Sequence, residues 1–129
     1  MFFAVPAPVA EVLLDQAPLA TIHAAQPVGS GPVLEDVVRV FEEDAAKRID
    51  ELGHAIAADD AIRVFRAARA LRASSVDLGA LRLAAVSRQL ENAGRLGTTT
   101  SAASLLREIH GCFPATRRAL RSACRTFAV

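Results

Sequence analysis

The sequence predicts an all-α protein: an antiparallel up-down four-helix bundle with a short N-terminal helix. Hydrophobic residues make up 52% of the 129 residues but aromatic residues only 5%, and the apolar stretches are rich in Ala, Leu and Val. These apolar residues recur at alternating spacings of three and four, the period of a helix that buries one face. The length fits one domain, and no run of about 18 apolar residues predicts a membrane span.

The start of the chain predicts a leader, a short helix and a linker. Residues 1–10 are apolar, with two prolines and no basic start. We therefore expect a flexible or packed leader rather than a signal peptide. A short helix is expected over residues 9–25, interrupted or restarted near Pro18, and Gly and Pro make residues 26–32 a linker. The whole chain, residues 1–129, is predicted to form a single domain.

A long amphipathic helix is predicted over Val33–Ala57. Glu35 and Asp36 fall in its first turn, where carboxylates interact favourably with the helix dipole. Its predicted buried stripe consists of Leu34, Val37, Val38, Phe41, Ala45, Ile49, Leu52 and Ile56. Asp59 or Asp60 is the expected N-cap of the next helix.

The third and fourth helices are predicted to form an αα-hairpin over residues 61–76 and 78–96. Val64, Ala68, Leu71, Ser75 and Leu78 form one buried stripe, continued by Leu83, Val86 and Leu90. The hydroxyl groups of Ser74 and Ser75 compete with the helical backbone for hydrogen bonds. Asp77 is the predicted N-cap of the fourth helix. Gly79 permits a close approach at the corner between the two helices.

The last helix is predicted over residues 102–126. Gly97 ends the helix before it, and residues 98–101 supply polar side chains for a cap. Because Pro114 has no N–H to donate, we expect the last helix to bend or restart at residues 111–114.

Charge is divided unequally along the chain. Residues 1–60 carry three basic and eleven acidic residues, a net charge of −8, whereas residues 61–129 carry twelve arginines and three acidic residues, a net charge of +9. Such a polarised molecule can steer its partners electrostatically. Alternatively, antiparallel helices pair their charges across the surface.

No arrangement of residues predicts an enzyme, a metal or a cofactor. His23, His54 and His110 lack metal-ligand spacing, and we expect each to be structural or solvated. Cys112 and Cys124 would lie about 18 Å apart on one helix, too far to form a disulfide. Reduced thiols predict a cytoplasmic setting.

Residues 68–80, ARALRASSVDLGA, resemble the signature of histidine-containing phosphotransfer (HPt) domains, roughly A-H-x-L-K-G-S-S-x-x-L-G-A. The matching positions are Ala68, Leu71, Ser74, Ser75, Leu78, Gly79 and Ala80. Residues 90–95, LENAGR, are similar to an L-E-x-x-G-R segment of the family, and the acidic stretch at residues 41–44 has a counterpart there too. The resemblance spans about residues 15–125 and implies a four-helix bundle that acts in two-component phosphorelay signalling.

The chain departs from this signature where the family does its chemistry. The phosphorylated histidine falls on Arg69, the Lys on Arg72, and the Gly beside the imidazole on Ala73. A guanidinium stays protonated and offers no lone pair to a phosphoryl group. The resemblance therefore implies a degenerate HPt domain that carries no phosphate.

The resemblance implies that the partner-binding face of the family remains, although the phosphorylated histidine is missing. The predicted residues of this face are Phe65, Arg66, Arg69, Arg72, Ala73 and Arg82, with Ser87 as a further candidate. The predicted function is a non-catalytic module that binds a receiver domain of a response regulator, or a histidine kinase, without carrying phosphate. The alternatives are a helical adaptor or structural domain outside phosphorelays and, with less support because aromatic residues are few, a nucleic-acid binder.

Overall fold

A computed structural model of the protein describes residues 12–27, 29 and 31–127 as a bundle of five helices. They are α1 (Ala17–Ala24), α2 (Val33–Ala57), α3 (Ala61–Asp77), α4 (Leu81–Arg95) and α5 (Ala102–Phe127). The described residues contain no strand, so the all-α four-helix bundle with a short N-terminal helix is confirmed. The leader predicted over residues 1–10 lies outside the described residues.

Four long helices enclose the core in the order α2, α3, α4, α5, with α5 closing back on α2. The core side chains follow the predicted stripes. In α2, six of the eight predicted residues are buried, and Val37 and Ile56 pack partly buried against them. Leu52, Leu71, Leu90 and Leu120, one from each long helix, are fully buried. Full burial of a leucine stabilises a fold by about 1.5–3 kcal/mol, so this core holds the bundle together.

The corner between α3 and α4 differs from the prediction. Asp77 is the last residue of α3 rather than the N-cap of α4, which begins at Leu81 and not at Leu78. Gly79 adopts a φ of +74°, and the N–H of Ala80 donates to the carbonyl of Ser75 at 2.8 Å. These are features of a Schellman motif, in which a left-handed glycine closes the end of a helix. The motif uses the residues that the prediction placed in the first turn of α4.

The N-terminal segment crosses this corner. The N–H of Asp15 donates to the carbonyl of Gly79 at 2.8 Å, and a Cβ on Gly79 would overlap the carbonyl oxygen of Asp15. Gly79 is therefore required both for its φ and for the approach of the N-terminal segment. The short helix predicted over residues 9–25 is shorter in the structure, where α1 begins at Ala17 and ends at Ala24. Residues 12–15 are not helical, and residues 9–11 lie outside the described part of the chain.

Two expectations about helix ends have different outcomes. Asp60 caps α3, since its Oδ1 accepts a hydrogen bond from the N–H of Arg63 at 3.1 Å, as predicted. The last helix is predicted to bend or restart at residues 111–114; the restart is wrong, because α5 is one helix with Pro114 inside it. His110, Gly111 and Pro114 all lie on the exposed side of α5. Water can therefore hydrate the His110 carbonyl that loses its N–H partner.

Candidate partner-binding face

A glycine on α4 allows α3 and α4 to pack closely. A Cβ on Gly94 would lie 2.6 Å from the backbone nitrogen of Phe65 and 2.8 Å from the carbonyl oxygen of Ala61. Such distances are too short for any larger residue, so the two backbones meet only because position 94 is glycine. This contact fixes how α4 is placed against the exposed residues of α3.

An arginine–glutamate pair joins the two helices one turn further along. Nε of Arg72 donates to Oε1 of Glu91 at 2.6 Å, and Nη2 of Arg72 donates to Oε2 at 3.0 Å. Glu91 is only 3% exposed. Hydrogen bonding from Arg72 lowers the pKa of Glu91, and the nearby charges of Arg95 and Arg69 lower it further. The carboxylate is therefore ionised and fully engaged by a bidentate donor.

Two further arginines flank one aromatic ring. The guanidinium carbons of Arg69 and Arg95 each lie 6.0 Å from the centroid of the Phe65 ring, within the range of a cation–π interaction. Both arginines are exposed, and Phe65 is half-buried. In the part of the chain that the structure describes, neither arginine forms an ion pair with a carboxylate. The ring thus positions two cations whose hydrogen-bond donors remain available to a partner.

A groove of about 380 Å³, lined by Arg72 at one point, runs along the α3–α4 hairpin. The end of this groove near the corner between α3 and α4 is lined by two apolar residues, Val76 and Leu81. Val76 is 51% exposed. The remaining lining residues of the groove are Arg72, Ala84, Ala85, Arg88, Gln89 and Asn92. We call this surface the α3–α4 face; it comprises Phe65, Arg69, Arg72, Val76, Leu81, Arg88, Asn92 and Arg95.

The structure brings together only some of the predicted face residues. Phe65, Arg69 and Arg72 lie on the α3–α4 face, but Arg72 is held by Glu91 instead of being free for a partner. Arg66 instead lines a groove of about 420 Å³ on the α2 side of α3, and Arg82 lies beside Cys112 of α5.

The remaining candidates from the signature differ in exposure. Ala73 is exposed, one turn beyond Arg69. Ser87 is fully buried and its hydroxyl donates to the carbonyl of Leu83 at 2.7 Å, so it cannot contact a partner as expected. Ser75 is likewise buried and donates to the carbonyl of Leu71 at 2.6 Å. These serines contribute to the scaffold, not to the face.

Five residues of the α3–α4 face are not among those predicted from the sequence: Val76, Leu81, Arg88, Asn92 and Arg95. Arg95 follows Glu91 by four residues and therefore lies on the same side of α4. That spacing, within the LENAGR segment, was the available signal. The sequence does not predict that Val76 is exposed, because a valine near a helix end is equally compatible with burial.

Other reactive residues lie away from this face. Cys112 and Cys124 are free and buried, and burial raises the pKa of both thiols, which makes them poor nucleophiles. His23 packs against Phe127 with ring centroids 5.3 Å apart, and His54 is exposed near Asp50. Among the described residues no group of His, Cys, Asp and Glu could hold a metal ion, and no helix could cross a membrane.

The family model of the Hpt domain matches residues 36–124, which include most of α2, all of α3 and α4, and most of α5. The chain therefore belongs to the Hpt domain family. Members of this family are phosphoryl carriers that interact with receiver domains and histidine kinases in phosphorelays.

The chain is also similar to a solved structure. The crystal structure of histidine-containing phosphotransfer protein B (HptB) from Pseudomonas aeruginosa PAO1 aligns with a TM-score of 0.78 and 25% sequence identity. The alignment covers 90% of this chain and 97% of the HptB chain. The search of curated proteins found no significant match.

Proposed function

We propose that this protein is a non-catalytic Hpt domain that binds a receiver domain through the α3–α4 face without carrying a phosphoryl group. One observation supports the proposal: the side chain of Arg69, the residue on which the signature histidine falls in the resemblance, is exposed on α3. Phosphoryl transfer needs an unprotonated ring nitrogen at that position. A guanidinium has none and cannot be deprotonated in a protein.

The chemistry of the face supports an acidic partner. Arg69 and Arg95 are exposed cations without an ion-pair partner in the described part of the chain, and the groove on the same helical hairpin is partly apolar. A receiver domain presents a cluster of acidic residues around its phosphorylatable aspartate. Forked guanidinium donors match carboxylates in geometry as well as charge, while the apolar groove adds contact area.

Calorimetry against a panel of receiver domains tests this function. Arg69→Ala should weaken binding by about 1–3 kcal/mol, since it removes a charge-assisted contact. Arg118→Ala is the matched control, because Arg118 is also exposed but lies on α5. Binding should also weaken with added salt. Equal affinities of the two variants would remove Arg69 from the interface, and binding only to a histidine kinase would replace the receiver as partner.

Phosphoryl transfer is tested separately. We expect no label on the protein after incubation with a radiolabelled phosphorylated receiver, whereas an Hpt domain that retains the signature histidine should become labelled. Acid-labile label on His23, His54 or His110 would contradict the proposal.

A further inference from the structure

The two neighbouring helices α2 and α5 carry opposite charges. α2 contains seven acidic and three basic residues, whereas α5 contains five arginines and one acidic residue. Part of this charge is neutralised where the helices meet. Glu42 of α2 accepts two hydrogen bonds from Arg121, and its Oε2 lies 3.6 Å from Nε of Arg117. This cluster holds α2 against α5 and leaves the outer charges of both helices facing solvent.

The outer carboxylates of α2 form an acidic row, which consists of Asp36, Glu43 and Asp50. These residues are seven positions apart, so they share one side of the helix at intervals of about 10 Å. Each of their side chains is at least 62% exposed. Arg39 pairs with the first two and His54 with the third, at 3.4–3.7 Å. Such exposed pairs contribute little free energy, so the carboxylates can exchange them for other partners.

The outer arginines of α5 form a basic row, which consists of Arg107, Arg118 and Arg125. They are separated by 11 and 7 residues, close to whole numbers of helical turns, and therefore share one side of α5. All three are exposed. None of them pairs with a carboxylate within the part of the chain that the structure describes. Arg118 and Arg125 thus repeat the spacing of the acidic row on the neighbouring helix.

We propose that the side of the bundle formed by α2 and α5 is the interface of a homodimer, with a two-fold axis parallel to the helices. This rotation places α2 of each copy antiparallel over α5 of the other, so the acidic row meets the basic row twice in a closed dimer. A nucleic acid or an anionic membrane would match the basic row but would be repelled by the acidic row beside it. A second copy of the chain carries both rows, and it is therefore the partner that fits.

The size and polarity of this side fit a weak dimer. The helices are 25 and 26 residues long. Two packed helices of that length present an area about 37 Å long and about 20 Å wide. The resulting area of about 700 Å² is close to the roughly 800 Å² that each partner contributes to a standard interface. α3 and α4 lie on the other side of the bundle, so the dimer leaves both α3–α4 faces accessible and does not depend on the proposed function.

Sedimentation velocity tests the dimer. The wild type should dimerise at low salt, and the dimer fraction should fall when about 0.5 M NaCl is added. Two double variants, Glu43→Lys/Asp50→Lys and Arg118→Glu/Arg125→Glu, each bring like charges together and should weaken dimerisation at least about tenfold. Arg63→Glu/Arg66→Glu is the matched control, because both arginines are exposed on α3 and lie outside this interface.

Mixing the two charge-reversed variants tests the geometry. The basic α2 of one variant then meets the acidic α5 of the other in both contacts, so the mixture should form a 1:1 dimer although neither variant dimerises alone. A variant that had merely lost its fold would not be rescued in this way. No association in the mixture would overturn the pairing of the two rows, and assemblies larger than a dimer would overturn the two-fold arrangement.

The wild type supplies the simplest refutation. A chain that stays monomeric at low salt and a concentration of about 1 mM would overturn the proposal. Binding of anionic vesicles or duplex DNA to that monomer, lost in Arg118→Glu/Arg125→Glu, would then replace the second copy as the occupant of this side.

Discussion

Arg72 of α3 and Glu91 of α4 form a bidentate pair in which both carboxylate oxygens of the buried glutamate accept from one guanidinium. The pair fixes the rotation of α3 against α4 at the point where the α3–α4 face begins. It also removes from solvent a charge that would repel an acidic partner. Arg72 thus shapes the face without being available as a free cation on it.

Arg72→Ala should lower the free energy of unfolding by about 2–3 kcal/mol, because it leaves a 3% exposed carboxylate without its donor. Arg66→Ala is the matched control on the same helix. Arg66 is exposed and unpaired within the described part of the chain, so its removal should change stability by no more than about 0.5 kcal/mol. Urea denaturation measures both, and similar values for the two variants would show that the pair contributes little.

The same pair predicts a pH dependence of stability. Because the folded-state pKa of Glu91 is lowered, its contribution is complete above the unfolded-state pKa of about 4.3 and is lost as the pH falls through the lower folded-state pKa. The difference in unfolding free energy between the wild type and Glu91→Gln should therefore be constant near neutral pH. It should shrink as the pH falls below about 4. The other carboxylates titrate in both proteins and cancel, so a pH-independent difference would contradict this prediction.

The core and most helix ends could be read from the sequence because they depend on local patterns. The bounds of α2, Val33–Ala57, are as predicted, and Asp60 is the cap of α3. The Arg72–Glu91 pair could not be predicted, since the two residues lie 19 positions apart and meet only after α3 and α4 have packed in one rotation.

Two other differences have local physical causes. The predicted start of α4 is wrong because an aspartate fits an N-cap as well as a helix end, and the Schellman motif at Gly79 decides between the two. The continuity of α5 through Pro114 depends on that proline facing solvent, which becomes evident only when the buried side of α5 is known.

Gly94→Ala should destabilise the protein by about 1–3 kcal/mol, since the new methyl group would overlap the backbone of Ala61 and Phe65 and force α3 and α4 apart. Gly111→Ala is the matched control within a helix, because nothing lies within 4 Å of a Cβ at that position. It should stabilise by about 0.5–1 kcal/mol through helix propensity. Thermal unfolding of the two variants should thus shift in opposite directions, and a shift of the same sign would argue against close packing at Gly94.

Gly79→Ala should lower the free energy of unfolding more than Gly97→Ala, although both glycines have nearly the same φ. Their φ values are +74° and +77°, so both variants lose about 1–2 kcal/mol to left-handed strain. Only at Gly79 does the added methyl group meet the carbonyl of Asp15 and displace the N-terminal segment. The extra loss should be at least about 1 kcal/mol. Hydrogen exchange supplies a local readout: the Asp15 amide should lose protection in Gly79→Ala and keep it in Gly97→Ala.

Under the proposed function, a histidine introduced at position 69 should give phosphoryl transfer only in part. In Arg69→His, an imidazole nitrogen can attack the phosphorus of an aspartyl phosphate; a nitrogen–phosphorus bond forms as the bond to the aspartate oxygen breaks, and the carboxylate leaves. Ala73 lies one turn further along the same helix and is exposed, so we expect its methyl group to crowd the incoming phosphoryl group. Arg69→His/Ala73→Gly should therefore become labelled at least several-fold faster than Arg69→His alone.

Ala73→Gly alone is the control for this comparison, because glycine in a helix costs about 1 kcal/mol and the variant must still unfold cooperatively. Arg72 is left unchanged in all variants, since a lysine would offer Glu91 one ammonium in place of the fork that holds α3 to α4. Labelling is followed with a radiolabelled phosphorylated receiver, and the label on the double variant should be acid-labile. Equal labelling rates for the single and double variants would show that Ala73 does not hinder transfer. A double variant that stays unlabelled would show that residues other than 69 and 73 also prevent transfer.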